Sequence, residues 1–242
     1  MIPIPVHEEF SAAEARAWME HVDRQGFAIV PILFGKQEIS AVAEEFDGMS
    51  FPRSRAGVRH CLGSKAVRRI AEDSRLLTIV RQVLGPDALP FRATLFDKSP
   101  SANWLVVWHQ DTALPLRQRR DNPGWGPWSV KEGVIYAHAP ETALRNVLAL
   151  RIHLEDSSAE NGPLRVLPAT HLLGVLSDDA IESLTHKITP TECVAPRGAI
   201  LAMRPLLVHS SSKVKGQAPR RVLHIEYASS VKFEGGLELA TA

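Results

Sequence analysis

Cysteine is scarce in this chain. Cys61 and Cys193 are the only two among 242 residues, too few for a disulfide framework. An excess of either charge is also missing. Lys+Arg 28 against Asp+Glu 27 leaves no basic surplus of the kind that tracks a phosphate backbone, which weighs against a nucleic-acid partner. No apolar run approaches the roughly 20 residues needed to span a bilayer. The opening residues, Met1-Ile2-Pro3-Ile4-Pro5-Val6-His7-Glu8-Glu9, lack the basic start and apolar stretch of a secretory signal. Internal repeats and low-complexity tracts are absent too. These absences point to a soluble, cytoplasmic protein whose partner is a small molecule rather than a membrane or a nucleic acid.

What remains suits one domain over residues 1–242, with 45% hydrophobic residues to build a core. Its first part, about 1–87, is expected to be largely helical. Ser11 with Glu14 three residues on resembles a capping box, and Gly26 closes that helix ahead of a short strand over 27–30. A second helix is expected over 36–46. A third carries Val67, Ile70, Leu76, Leu77, Val80 and Val83 near helical spacing and stops at Gly85-Pro86. From Leu89 the texture changes to short β-like runs over 91–96, 104–109, 147–154, 163–167, 199–203, 206–210 and 222–227. Many short strands with turns between them indicate a sandwich, jelly roll or barrel, with its core over about 88–230. The stretch 112–146 is rich in Pro, Gly, Trp and Arg and shows little pattern; a connection that long is usually functional, such as a lid.

Ten histidines invite a search for metal ligands. Two histidines and one carboxylate hold iron(II) on one face and leave the other positions open for chemistry. A strand supplies two of the three economically, because side chains at i and i+2 share a face. The motif His-x-Asp/Glu occurs five times, at His7/Glu9, His21/Asp23, His109/Asp111, His153/Glu155 and His224/Glu226, so alone it is weak. His21 and Asp23 fall on a helix, where i and i+2 diverge, and His7/Glu9 falls at a terminus, a poor place for a preorganised site. Three pairs remain on strands. His109/Asp111 ends an apolar run and opens the long connection, as a strand feeding a pocket mouth would. His153/Glu155 also closes a strand, and spacing does not exclude it. His224/Glu226 adjoins no loop that would shape a pocket. His153 and His224 are read as hydrogen-bonded sheet histidines.

A third ligand candidate, His209, ends the apolar run Leu206-Leu207-Val208, and Arg220 follows eleven residues later. If their strands are adjacent, Arg220 lies near the metal end of the sheet. Its planar fork suits the free carboxylate of a dicarboxylate whose other end chelates the metal. Ser211 shares a strand face with His209 and is placed to add a hydrogen bond. Against Arg220 stands simple alternation: Arg221 shares a face with Leu223, Ile225 and Tyr227 and would turn inward if the apolar side were the inside.

Together these residues resemble the phytanoyl-CoA dioxygenase family of 2-oxoglutarate oxygenases. The resemblance rests on His109-x-Asp111, His209 and Arg220, and on the linking segment Glu160-Asn161-Gly162-Pro163-Leu164-Arg165-Val166-Leu167-Pro168-Ala169-Thr170-His171. Phe96-Asp97-Lys98-Ser99-Pro100 ahead of Trp108-His109-Gln110-Asp111 adds to it, and the similarity runs from about 25 to 230. Two places depart from the pattern. Ala169-Thr170 stands where Gly-Ser is usual, and the Asn often found shortly after the distal histidine is missing.

The resemblance implies a mainly β protein with flanking helices and a double-stranded β-helix (jelly-roll) core. It implies His109, Asp111 and His209 as ligands of Fe(II), Arg220 as the anchor of the 2-oxoglutarate distal carboxylate, and Lys98 and Ser211 as further co-substrate contacts. It also implies consumption of O2 and release of succinate and CO2. Asp111 itself favours hydroxylation, because halogenating relatives carry a small residue there. Two other classes stay open on the residues alone: a jelly-roll metalloenzyme without 2-oxoglutarate, and a non-catalytic metal-binding or sensor module. Among the remaining residues, Trp104 and Trp108 are expected in the core, and Trp125 and Trp128 as walls of the substrate pocket. Arg117, Arg119 and Arg120 are expected on a solvated loop face.

Overall fold

Gly26, at φ +85°, closes α1 (Ala12–Gln25) and turns the chain directly into β1 (Phe27–Val30). The computed structural model describes residues 12–30, 32–48, 57–100 and 102–241, so the Ser11/Glu14 capping box and the His7/Glu9 pair lie outside the described residues. After α2 (Lys36–Asp47) and β2 (Gly57–Val58) come α3 (Lys65–Ala71) and α4 (Ser74–Leu84). The single third helix expected from spacing is therefore two. Asp73 breaks it: its carboxylate accepts a hydrogen bond from the Arg75 backbone N–H at 2.9 Å and starts a new helix.

Then follow β3 (Leu89–Lys98), β4 (Val106–His109), β5 (Ala113–Leu116), β6 (Trp128–Lys131), β7 (Val134–His138), the short α5 (Glu141–Leu144), β8 (Val147–His153) and β9 (Leu164–Val166). The chain finishes with α6 (Asp178–Thr185), β10 (Thr191–Cys193), β11 (Ile200–Met203), β12 (His209–Ser211) and β13 (Arg220–Ala228). Neither α6 nor β10 is expected from the sequence; β10 is too short to show a pattern, whereas Ser177, which caps α6, and Asp178-Asp179 in its first turn were a readable helix start.

The strands form a major sheet in the order β1-β11-β8-β13-β3-β2 and a minor sheet in the order β10-β9-β12-β4. They face one another across a cavity lined from both sides, which is the jelly roll. The two faces of the major sheet differ sharply. Leu148, Leu150 and Ile152 of β8, Leu223, Ile225 and Tyr227 of β13, and Ala93 and Leu95 of β3 join the helices in the largest apolar cluster. Each large apolar side chain contributes about 1.5–3 kcal/mol by leaving water. On the opposite face of the same strands lie Arg151, His224, Arg220, Thr94, Phe96 and Lys98, which line the cavity.

The stretch 112–146 is not patternless. It holds a third antiparallel sheet, β5-β7-β6. Glu132 (φ +51°) and Gly133 (φ +81°) form the two-residue link between β6 and β7, the twin positive-φ turn that suits a hairpin. The Glu-Gly pair between apolar runs was a readable signal. Among the described residues no helix is long and apolar enough to cross a membrane.

Candidate metal centre

Alternation along the end of β4 builds half of the site. His109 is the last residue of β4 and Asp111 lies two further on, so both side chains turn toward the cavity. Gln110, between them, turns away and is buried. Its amide donates to the carbonyls of Leu206 (2.7 Å) and Gly174 (2.9 Å) and accepts from the Leu176 N–H (2.8 Å). A buried amide satisfied this fully pins the motif. Antiparallel pairing then sets His209 of β12 opposite His109. One ligand atom from each of His109, Asp111 and His209 lies within 4.8 Å of the others.

Both imidazoles are oriented by backbone. Nδ1–H of His109 donates to Val107 O at 2.9 Å, and that of His209 to Leu207 O at 2.8 Å. Each Nε2 then keeps its lone pair and faces the Asp111 carboxylate, at 3.6 Å and 3.5 Å. This is the tautomer that metal binding requires, fixed by the hydrogen bond on the other nitrogen. Burial pushes His209 down to about 4, so it is neutral at pH 7. Burial opposes the charge on Asp111, yet the imidazoles of His209 and His109 hold its carboxyl well below the usual range. Two imidazole nitrogens and a carboxylate on one side, with open space on the other, fit a divalent transition metal such as iron(II), which would take the place of the proton shared between His109 and Asp111.

The cavity is about 190 Å³, at the small end for ligand sites. One wall gathers three polar side chains into a single group. Lys98 Nζ donates to Ser211 Oγ (2.8 Å) and Ser212 O (2.7 Å), and Arg220 Nη2 donates to Ser211 Oγ (3.2 Å). Cross-strand register sets Arg220 directly opposite Lys98. Both are buried, and neither makes an ion pair among the described residues. Nε of Arg220 has no hydrogen-bond partner among the described residues. Burial, reinforced by Arg220 and Arg151, pushes the Lys98 ammonium down to about 7. Two buried cations without an anion leave the wall short of a negative charge. A carboxylate fits it.

The linking segment reaches this wall through its turn. Gly162 O accepts from Ser211 Oγ at 3.0 Å. The Asn161 amide donates to Asp156 O (2.7 Å) and to Pro219 O (3.3 Å), one residue before Arg220. Gly162 sits at φ +65°, and a Cβ there would meet Ser212 O at 2.3 Å. Only glycine allows that approach.

The remaining candidates divide between the cavity and the rest of the fold. Arg221 turns to the outer side, where it pairs with Glu155 (2.9 Å) and Asp47 (2.8 Å); Arg220 takes the cavity. His153 is a sheet histidine, its Nδ1–H donating to Ala199 O at 3.2 Å. His224 is not merely that: it lines the cavity and accepts from Arg151 Nη1 through Nδ1 at 3.1 Å. Trp104 lines the cavity instead of filling the core, whereas Trp125 and Trp128 pack against an apolar cluster around Leu114 and Leu144. Trp108 packs beside Leu167 and Val208. Arg117 pairs with Glu238 at the surface, 3.2 Å apart. Sequence reasoning misses Arg151 altogether. A lone arginine inside Val147-Leu-Ala-Leu-Arg151-Ile-His153, a strand buried throughout, is the signal that could have found it.

Comparison with known proteins agrees with this geometry. The chain is 23% identical to an L-proline trans-4-hydroxylase of Streptomyces griseoviridis over 243 residues, covering 84% of this chain and 82% of that protein. It is 25% identical to an ectoine dioxygenase of Bordetella parapertussis over 181 residues; the match takes in 67% of this chain but only about half, 51%, of that enzyme. The solved structure of the epimerase SnoN in complex with Fe3+, alpha ketoglutarate and nogalamycin RO superposes with a TM-score of 0.69 at 18% identity, covering 91% of this chain and 86% of that one. The profile of the phytanoyl-CoA dioxygenase (PhyH) family matches residues 22–222, and the chain therefore belongs to the phytanoyl-CoA dioxygenase family.

Proposed function

We propose that this chain is an iron(II)- and 2-oxoglutarate-dependent dioxygenase that hydroxylates a small organic molecule. In this reading His109, Asp111 and His209 hold the metal. Arg220 anchors the distal carboxylate of 2-oxoglutarate, with Lys98 beside it and Ser211 bridging the two. Iron(II) with 2-oxoglutarate and O2 supplies the oxidising chemistry, in which the co-substrate becomes succinate and CO2. The chain's own part is placement. Backbone carbonyls hold the two imidazoles, Gln110 braces the motif, and Asn161-Gly162 fixes the turn behind Ser211.

One observation carries this reading beyond a bare metal site. The ligand triad shares its cavity with the buried, unpaired pair Lys98 and Arg220, and a dicarboxylate chelating the metal would satisfy both. A metalloenzyme without this co-substrate leaves that pair unexplained. The relatives named as hydroxylating proline or ectoine favour a small substrate.

The test is succinate formation from 2-oxoglutarate by the iron(II)-loaded protein in air. Wild type is expected to form succinate, and His109→Ala to lose bound iron and at least about 100-fold of the rate, more than loss of an outer-shell partner costs. Iron binding without any succinate would instead support the metalloenzyme, and no iron binding the non-catalytic module.

A further inference from the structure

The cavity holds more positive charge than a metal and a dicarboxylate use. Among the described residues six cationic side chains line it: Arg59, Arg92, Lys98, Lys131, Arg151 and Arg220. Two are already neutralised. Arg92 forms a buried ion pair with Glu226, its Nη2 donating to Oε1 at 2.6 Å, and Arg59 pairs with Glu132 at 3.2 Å. Lys98, Lys131, Arg151 and Arg220 make no ion pair among the described residues. With iron(II), the Asp111 carboxylate and 2-oxoglutarate in place, the formal charge of those three is minus one against four side-chain cations. The loaded cavity keeps an excess of three positive charges, or two with Lys98 neutral.

The uncommitted cation that stands clear of the Arg220 wall is Lys131. It ends β6, in the third sheet rather than in the jelly roll. Its Nζ lies 5.0 Å from the centre of the Tyr136 ring, and Tyr136 is held by a contact of its hydroxyl with His60 Nε2 at 3.5 Å. Burial, with Arg92 and Arg59 nearby, lowers the Lys131 pKa, while the charge of Asp111 acts the other way. Lys131 is exposed, and it lines the same cavity as Asp111. Arg59 and Arg92 are each tied to their own glutamate, so among the described residues Lys131 is the cation at this end left free to take an anion.

We propose that the primary substrate carries a carboxylate, that Lys131 receives it, and that the Tyr136 ring supports the adjoining apolar part. Lys131 would then fix which carbon faces the metal, and the charge excess would draw anionic substrates in preference to neutral or cationic ones. The proposal rests on the metal and 2-oxoglutarate reading above.

Acetate and acetamide test it without knowledge of the natural substrate, since they match in size and differ in charge. The protein is loaded with Mn(II) in place of iron and saturated with 2-oxoglutarate. Paramagnetic relaxation of the two methyl resonances then reports their closeness to the metal. Acetate is expected to relax at least about fivefold more strongly than acetamide, the scale of one contact charge pair in bulk water and so the lower bound for a pair at a protein surface. Lys131→Gln should remove most of that difference, and Lys131→Arg should keep it. Equal relaxation of the two probes would overturn the proposal. An acetate effect undiminished in Lys131→Gln would do so as well, since it would place the anion on the metal or on Arg151. Loading is read separately, from relaxation of water by Mn(II) and of the 2-oxoglutarate methylene protons. Its failure would overturn the underlying reading, and this proposal with it.

Discussion

The two faces of β13 have opposite chemistry and opposite jobs. Leu223, Ile225 and Tyr227 point into the helix-covered cluster, where the Tyr227 hydroxyl donates to Ala71 O at 2.9 Å. Arg220, His224 and Glu226 point the other way, Arg220 and His224 lining the cavity. One face gains free energy by leaving water. The other holds buried charge at a cost, because Arg220 and Arg151 have no carboxylate of the chain to meet them among the described residues. Around the metal centre the inside of this jelly roll is therefore polar, while beyond it Ala149, Leu201, Leu164 and Val166 pack between the sheets and the largest apolar cluster lies outside, under the helices. Stability and ligand binding are separated by a single step of strand alternation.

Substitutions on either face of β13 break or sharpen that contrast. The largest effect is expected at Arg220. Arg220→Leu should raise the Kd for 2-oxoglutarate by about 100-fold or more, the scale for losing one partner of a buried charge pair. It should not lower Tm, because it removes an uncompensated buried cation. A falling Tm with unchanged Kd would make Arg220 structural. On the helix side, Ile225→Ala should cost about 2–4 kcal/mol of stability in a denaturant titration and leave co-substrate affinity alone. A loss of affinity at full stability would show the two faces to be coupled.

A smaller effect should appear with pH. Lys98, at about 7 in the free site, is charged below that value and neutral above it. A bound dicarboxylate raises it again. Binding then takes up a proton above pH 7. Affinity for 2-oxoglutarate should hold below about pH 7 and weaken as pH rises above it, by up to about tenfold per pH unit. Lys98→Met should flatten that dependence in a titration series. An unchanged slope would assign the proton to another group. The smallest effect belongs to Arg221. Asp47 is 60% exposed but Arg221 and Glu155 only 19% and 21%, and Arg221→Ala should cost about 1 kcal/mol of stability, with 2-oxoglutarate affinity intact.

The contrast also explains what was legible in the sequence. His109, Asp111 and His209 stood out because strand alternation and apolar runs that stop at a polar residue are local signals. A sandwich, jelly roll or barrel was readable from the many short strands, and the jelly roll among these, like the linking segment around Gly162, from the resemblance. Arg221 against Arg220 was not decidable from alternation, since a one-dimensional pattern marks two faces without saying which is covered by helices. Arg151 and His224 went unrecognised for the same reason: each sits in a strand whose other residues read as core. The hairpin at Glu132-Gly133 and the break at Asp73 carried local signals, but the surrounding Trp, Pro and Arg residues masked the first and continuous helical spacing masked the second.

The most direct test of the metal and co-substrate assignment is an anaerobic titration of the protein with iron(II) and then 2-oxoglutarate, followed in the visible range. A weak metal-to-ligand charge-transfer band that grows with 2-oxoglutarate and saturates is the predicted result, since it requires both groups in one cavity. Iron bound in full with no band at any concentration of 2-oxoglutarate would contradict the assignment.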